Sequence, residues 1–362
     1  MTGEPTVRVL MVSHPLPDAL HPGTMAPAAR QMRSLAEAGV EVEVVQVRGL
    51  PKAKYLQTRA RMMRLLPGVD LVHAHFGYCG WLALSQRQRP VVISYMGDDL
   101  LGTPRASGRT TLWSRLQVQI NRRLARRYAA VIVKSAEMAR VVAPTPAHVV
   151  PNGVDLQVFA PVARLAACRR LGWDPDGIHV LFPGNPRNPR KGYPLACGAV
   201  AHASRLLGAP VEIRVLSGVD PERVPLYMNA CHAVLLTSLV EGSPNVVKES
   251  LACGVPVVSV PVGDVPELLA GVHPGAVRPY RAEELGAALA ELLACGPRSN
   301  GRQVLRERRL DLAGVASRIL EIYAQALGRQ RSGPQAVGAD SPGHAHAGGG
   351  AQSAVTLATP RG

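Results

Sequence analysis

The feature that most constrains this chain is a repeated alternation. VRVLMV (7–12), VEVEVVQV (40–47), DLVHAHF (70–76), PVVISYM (90–96) and AAVIVK (129–134) are short, nearly continuous apolar runs separated by stretches of helical spacing. Strands apolar along their whole length are buried on both faces, and helices between them supply the crossovers of a parallel sheet. The pattern restarts with IHVLFPG (178–184), PVEIRVLSG (210–218), HAVLLTS (232–238) and VPVVSV (255–260). The expected fold class is α/β, with two Rossmann-like domains facing one cleft. We divide the chain into 1–160, 161–328 and a Gly/Ala/Ser-rich tail, 329–362, expected to be disordered. Ligands of such sheets bind beyond the carboxyl ends of the strands, which makes the cleft the expected site.

A formal charge of +15 over 362 residues attracts phosphates, anionic lipid or nucleic acid by its long-range field. Only 4% of residues are aromatic, and there is neither a stacking-aromatic motif nor zinc-finger spacing, so nucleic acid is not an expected partner. The six cysteines are scattered singly, as expected of thiols in a reducing, cytoplasmic compartment. The N-terminus runs into a strand pattern without a leader signature, and no apolar run reaches the ~18 residues of a membrane span. Membrane contact is therefore expected to be peripheral, at the inner face of the cell membrane.

EGSPNVVKES (241–250) sets two glutamates around a Ser-Pro-Asn turn. Ser243 reads as a helix cap and Pro244 as the first helical residue, with Gly254 and Pro256 ending the helix. Glu241 then precedes the helix and Glu249 lies about 9 Å along it, too far apart for one acid/base task. Free N–H groups at the helix start suit a diphosphate. A carboxylate before them can hold sugar hydroxyls, and one further in can hold the vicinal hydroxyls of a ribose. Sugar, diphosphate and ribose in line make a nucleotide-sugar.

The segment LLTSLVEGSPNVVKESLACGVPVVSVPVGDVPELL (235–269) resembles the donor site of the retaining GT-B glycosyltransferases of family four, the glycosyl transferases group 1. HPGTMAPAARQMRSLAEAG (21–39), VVPNGVDLQVF (149–159) and FPGNPRNPRKGYPLA (182–196) extend the likeness over most of 7–325. The resemblance implies that Glu241 holds donor-sugar hydroxyls and that Gly242, Ser243, Pro244 and Asn245 contact sugar and phosphate. It further implies that Glu249 binds the ribose and Lys191 neutralises the diphosphate. Gly23, in the Pro22–Met25 loop, matches a segment near phosphates and acceptor. The implied activity is metal-independent hexosyl transfer with retention, from a nucleotide-sugar (UDP by family precedent) to a polysaccharide, glycolipid or small-molecule acceptor. The nucleotide-sugar is a substrate, and no cofactor is implied.

Two departures stand out. The family usually has Gly-Arg after the first strand of the second domain, where this chain has Gly184-Asn185; Arg187 or Arg190 can supply the guanidinium, and we take Arg187. In SYMGDDL (94–100), Gly97 and Asp99 match the family but Met96 stands at its usual histidine, with Tyr95 beside it. His73 and His75 share one strand face near the carboxyl end, hence toward the cleft, where Tyr95, Gly97 and Asp99 are also expected; His75 either takes over that polar role or is a histidine satisfied by neighbouring loops. Asp174-Pro175-Asp176 reads as a turn rather than a metal site. In LWSRLQVQINRRLARRY (112–128), apolar residues recur every fourth position among arginines. That is either a sheet-covering helix with a solvated basic face or a contact for anionic lipid, as a lipid-linked acceptor would favour. A non-catalytic nucleotide-sugar sensor and a nucleotide-sugar epimerase of the same fold are the alternatives.

Overall fold

In the computed structural model, the residues described are 6–18, 25–51, 53–102, 111–296 and 298–331. The 21–24 part of the loop carrying Gly23, and the tail beyond 331, lie outside them. Two wholly parallel sheets form. The first comprises β1 (Arg8–Ser13), β2 (Glu41–Gln46), β3 (Leu71–His75), β4 (Val91–Ser94), β5 (Ala130–Val133) and β6 (His148–Val149), in the order β2-β1-β3-β4-β5-β6. The second comprises β7 (Ile178–Phe182), β8 (Val211–Val215), β9 (Ala233–Leu236), β10 (Val257–Ser259) and β11 (Ala276–Val277), in the order β11-β10-β9-β7-β8. The apolar runs coincide with strands, whereas the two-residue β6 and β11 are too short to leave a pattern.

Helices cover both faces, as fully apolar strands require. Over one face of the first sheet lie α2 (Lys54–Leu65), α3 (Gly77–Ala83), α4 (Asp98–Leu101), α5 (Leu112–Leu124) and α6 (Ala136–Val142), sharing a core built on Leu10, Val72, Ile93 and Val131. The other face holds α1 (Ala26–Glu37) and, from the far end of the chain, α14 (Leu312–Arg331), whose Val315, Ile319, Ile322 and Tyr323 pack with Val9, Met11 and Val92. Grouping 161–328 with the second sheet therefore does not describe the packing of this last helix. It follows a bridge between Val154 and Asp311, where the chain returns to the first half.

The second half carries α7 (Arg164–Leu171), α8 (Tyr193–Leu207), α9 (Val224–Ala230), α10 (Asn245–Ala252), α11 (Val265–Leu269), α12 (Ala282–Cys295) and α13 (Gly301–Glu307). Helices α8 and α12 pack together, and α10 packs with α9, α11 and α13. No helix of the described residues is long and apolar enough to cross a membrane.

Helix α5 covers the sheet with its arginines exposed, but its apolar residues do not form one inward stripe. A spacing of four overshoots a helical turn by about 40°, so positions 112, 116, 120, 124 and 128 wind around the axis. Leu124 and Tyr128 reach the core, while Leu112 and Leu116 point outward. The inward face is polar. Gln117 accepts from the Tyr78 hydroxyl at 3.0 Å, and Asn121 accepts from the Trp81 indole at 2.6 Å while donating to the Asp99 carbonyl.

Candidate active site

In each sheet the strand order reverses at one point, between β1 and β3 in the first and between β7 and β9 in the second. A crevice opens beyond the carboxyl ends of strands at such a point. At the second switch point the loop after β7 carries Lys191 and the loop after β9 carries Glu241. The Lys191 Nζ donates to Glu241 Oε1 at 2.6 Å. Two further bonds join the loops: Leu239 N–H donates to the Arg190 carbonyl, and the Thr237 hydroxyl is shared between the Lys191 and Gly192 carbonyls. Gly192 makes that approach possible. It holds φ +67°, and a Cβ there would lie 2.2 Å from the Thr237 carbonyl oxygen.

Helix α10 starts one residue later than the capping pattern predicts. Pro244 occupies the cap position without a side-chain hydrogen bond, and the Ser243 hydroxyl instead accepts from Lys248 Nζ at 2.7 Å. Glu249 lies in the second turn, where its Oε1 accepts from Arg30 of α1 at 3.0 Å. The two glutamates thus serve separate cations from separate elements, consistent with two tasks. Asn245 accepts from Asn152 at 3.3 Å. A Cβ on Gly242 would approach Met138 Sδ at 3.3 Å and the Gly97 Cα at 3.5 Å, so this turn faces the first domain across the cleft. Arg190 also crosses, donating to Asp98 at 2.8 Å, while Arg187 is exposed. Of the two candidate guanidiniums, Arg190 is the one tied across the cleft, and Arg187 stays exposed in the loop before Lys191.

The expected cleft residues of the first domain are largely structural. Tyr95 is buried, its hydroxyl donating to the Asn121 carbonyl. Asp99 is buried beneath the cleft wall, its carboxylate accepting from the backbone N–H groups of Gly77, Met96 and Gly97; burial raises its pKa to about 6 against those bonds. His73 faces the core, its ring nitrogens 2.7 Å from the Tyr323 hydroxyl and 2.8 Å from the Ser94 hydroxyl. His75 stacks on His73 at 4.3 Å, and neither of its ring nitrogens has a hydrogen-bond partner among the described residues. Burial, then Lys134, pushes His75 down to about 3, so it is neutral and enclosed. Strand position identified the face these histidines share, but α14 covers that face.

Several cleft residues escaped the sequence reading. Lys134, directly after β5, is buried and donates to the Val150 carbonyl at 3.3 Å. Burial and the facing Lys248 lower it to about 7; burial lowers Lys248 to about 8, opposed by Asp264 and Glu249. A lysine directly after an apolar strand was the available signal. At the first switch point, His14 meets Phe76 edge-on at 5.2 Å, and Phe76 holds φ +80°, an outlier for an aromatic residue. Asp174 and Asp176 form a turn, the Asp176 N–H donating to Asp174. Among the described residues no three His, Cys, Asp or Glu side chains gather as metal ligands.

Residues 28–158 match the family model described as Glycosyltransferase Family 4, and residues 177–295 the model described as Glycosyl transferases group 1. The D-inositol 3-phosphate glycosyltransferase of Xylanimonas cellulosilytica is 28% identical over 331 residues, covering 75% of this chain and 76% of that protein. A second such enzyme, from Catenulispora acidiphila, is 25% identical over 311 residues, covering 71% of each. Among solved structures, sucrose-phosphate synthase from Thermosynechococcus elongatus superposes with a TM-score of 0.71 at 18% identity, over 89% of this chain and 100% of that one. Anabaena HepE in complex with UDP-glucose gives 0.63 at 18% identity, over 88% and 99%. The two parallel sheets facing one cleft are the GT-B fold, and the two family models together span both of its halves. The chain belongs to glycosyltransferase family 4, the group 1 glycosyl transferases.

Proposed function

We propose that the chain moves a hexosyl group from a nucleotide-sugar, a UDP-sugar first among them, to an acceptor hydroxyl with retention at the anomeric carbon. The observation that carries this reading is the pair of glutamates around the α10 start at the switch point, Glu241 held by Lys191 and Glu249 by Arg30. Support for the donor class comes from HepE, solved with UDP and with UDP-glucose, and from starch synthase IV of Arabidopsis thaliana, solved with ADP.

In this reading the diphosphate lies at the free N–H groups of the α10 start with Lys191 beside it, where preorganised positive charge lowers the barrier to departure. Glu241 and Glu249 hold sugar and ribose hydroxyls. The anomeric C–O bond to phosphate breaks, the acceptor oxygen bonds on the same face, and a donor phosphate oxygen takes the acceptor proton. No protein base is needed, which accommodates Met96 and the enclosed His75. The relatives' names support a phosphorylated polyol as the first acceptor to try.

Turnover of UDP-glucose and UDP-N-acetylglucosamine, followed by UDP release, tests the reading. Lys191→Met should lower kcat at least ~100-fold with the fold intact, and NMR of the product should show the donor's anomeric configuration. An inverted product, or an unchanged kcat in the variant, would overturn it.

A further inference from the structure

The outward face of α5 is unusual for a surface helix. Leu112, Trp113 and Leu116 are 82%, 57% and 48% exposed, and the outermost ridge runs Leu112, Leu116, Gln119, Arg123. Past the apolar end, Arg122, Arg123, Arg126 and Arg127 are exposed and form no ion pair with a described residue. Neither the stretch 111–128 nor helix α2 contains an acidic residue. Helix α2 lies in the same layer and adds exposed Tyr55 and Leu56, with Arg61 and Arg64. Neither helix supplies a carboxylate to its own apolar and basic side chains.

The apolar end is also connected to the cleft. Helices α2, α3 and α5 each begin on the side of the strand carboxyl ends, so Tyr55, Tyr78, Leu112 and Trp113 lie toward the cleft rim. From His14 and Phe76 at the switch point, contacts run to Tyr78 at 5.8 Å and to Trp113, whose indole donates to the Tyr78 hydroxyl at 2.9 Å. In a chain with only three tryptophans, two (Trp81 and Trp113) stand on this path. At the other end of α5, an open groove of about 790 Å³ is lined by Arg122, Arg123 and Arg126 together with Gln119 and Thr145.

We infer that the α5 face docks on an anionic phospholipid bilayer. Leu112, Trp113 and Leu116 enter the headgroup boundary, and the arginines, with their groove, receive lipid phosphates. Charge complementarity selects this occupant, because a neutral protein partner would leave the arginines unmatched. Docking also brings the cleft rim to the membrane, where a lipid-linked acceptor would be within reach. The inference stands apart from the donor reading, since it uses no donor-site residue.

The test is co-sedimentation of the full chain with vesicles of phosphatidylcholine, alone and with about 30% phosphatidylglycerol. Binding is expected only to the anionic vesicles, and to fall in about 0.5 M salt. Two variants, L112S/W113S/L116S and R122S/R123S/R126S, should each bind at least ~10-fold more weakly while keeping wild-type circular dichroism and UDP affinity. A chain that stays in the supernatant overturns the inference. So does loss of binding in the arginine variant alone, which would mean an anion surface such as nucleic acid would use. Light scattering that shows a wild-type dimer and a monomeric serine variant overturns it too, by making the patch a self-association face.

Discussion

Replacing Lys134 with methionine should stabilise the protein in mild acid and destabilise it in base. Lys134 is buried, its charged form opposed by burial and by Lys248, and its pKa falls from 10.5 to about 7. At about 1.4 kcal/mol per pKa unit, that drop is a penalty on the order of 5 kcal/mol for the charged side chain. The folded pKa lies below the unfolded value, so the penalty is fully present below pH 7, where both states hold the proton. It shrinks between pH 7 and 10.5, where only the unfolded chain does, and is gone above that. Methionine fills similar volume but gives up the hydrogen bond to the Val150 carbonyl, worth about 1.5–3 kcal/mol when the donor is charged and about 1 when neutral. The net expectation is a gain of about 2–3 kcal/mol at pH 6 that falls to about zero at pH 10, where about 0.8 kcal/mol of the penalty remains, and becomes a loss of about 1 kcal/mol above pH 11. Urea unfolding of both proteins at several pH values, followed by circular dichroism, reads the difference. Equal destabilisation at pH 6 and pH 10 would mean instead that Lys134 is charged and well compensated in the fold.

Two further substitutions probe the scaffold. Gly192→Ala should cost about 3 kcal/mol or more, from a left-handed φ and a Cβ 2.2 Å from the Thr237 carbonyl, and should lower turnover by moving Lys191; thermal unfolding beside UDP release checks both. Tyr323→Phe should cost about 1–3 kcal/mol by leaving a buried His73 ring nitrogen without its partner. A change below about 0.5 kcal/mol in urea unfolding would argue that α14 does not seat on the first sheet as described.

Much of the fold was legible because buried parallel strands must be apolar throughout, so runs such as AAVIVK mark themselves. The donor segment was legible for a related reason: Glu241, the turn and Glu249 lie within one loop and helix, and local spacing fixes their relation. What spans the two halves was not legible. Arg30 reaches Glu249, and Arg190 reaches Asp98, through a docking that neither local sequence specifies. The assignment of His73, Asp99 and Tyr95 to the cleft failed because a residue near a strand's end can face either a helix layer or solvent. Here α14, arriving from the end of the chain, closes over His73, while Asp99 turns inward to bind backbone N–H groups. Which residues α5 turns inward was not legible, because a four-residue apolar repeat drifts around the axis and carries Leu112 to the outside.

Calorimetric titration of UDP, with GDP beside it, into the wild type and Glu249→Ala tests the donor site at α10. Roughly micromolar UDP binding is expected, weakening at least about tenfold in the variant, a loss of about 1.4 kcal/mol. Binding of neither nucleotide, or equal binding by both proteins, would contradict it.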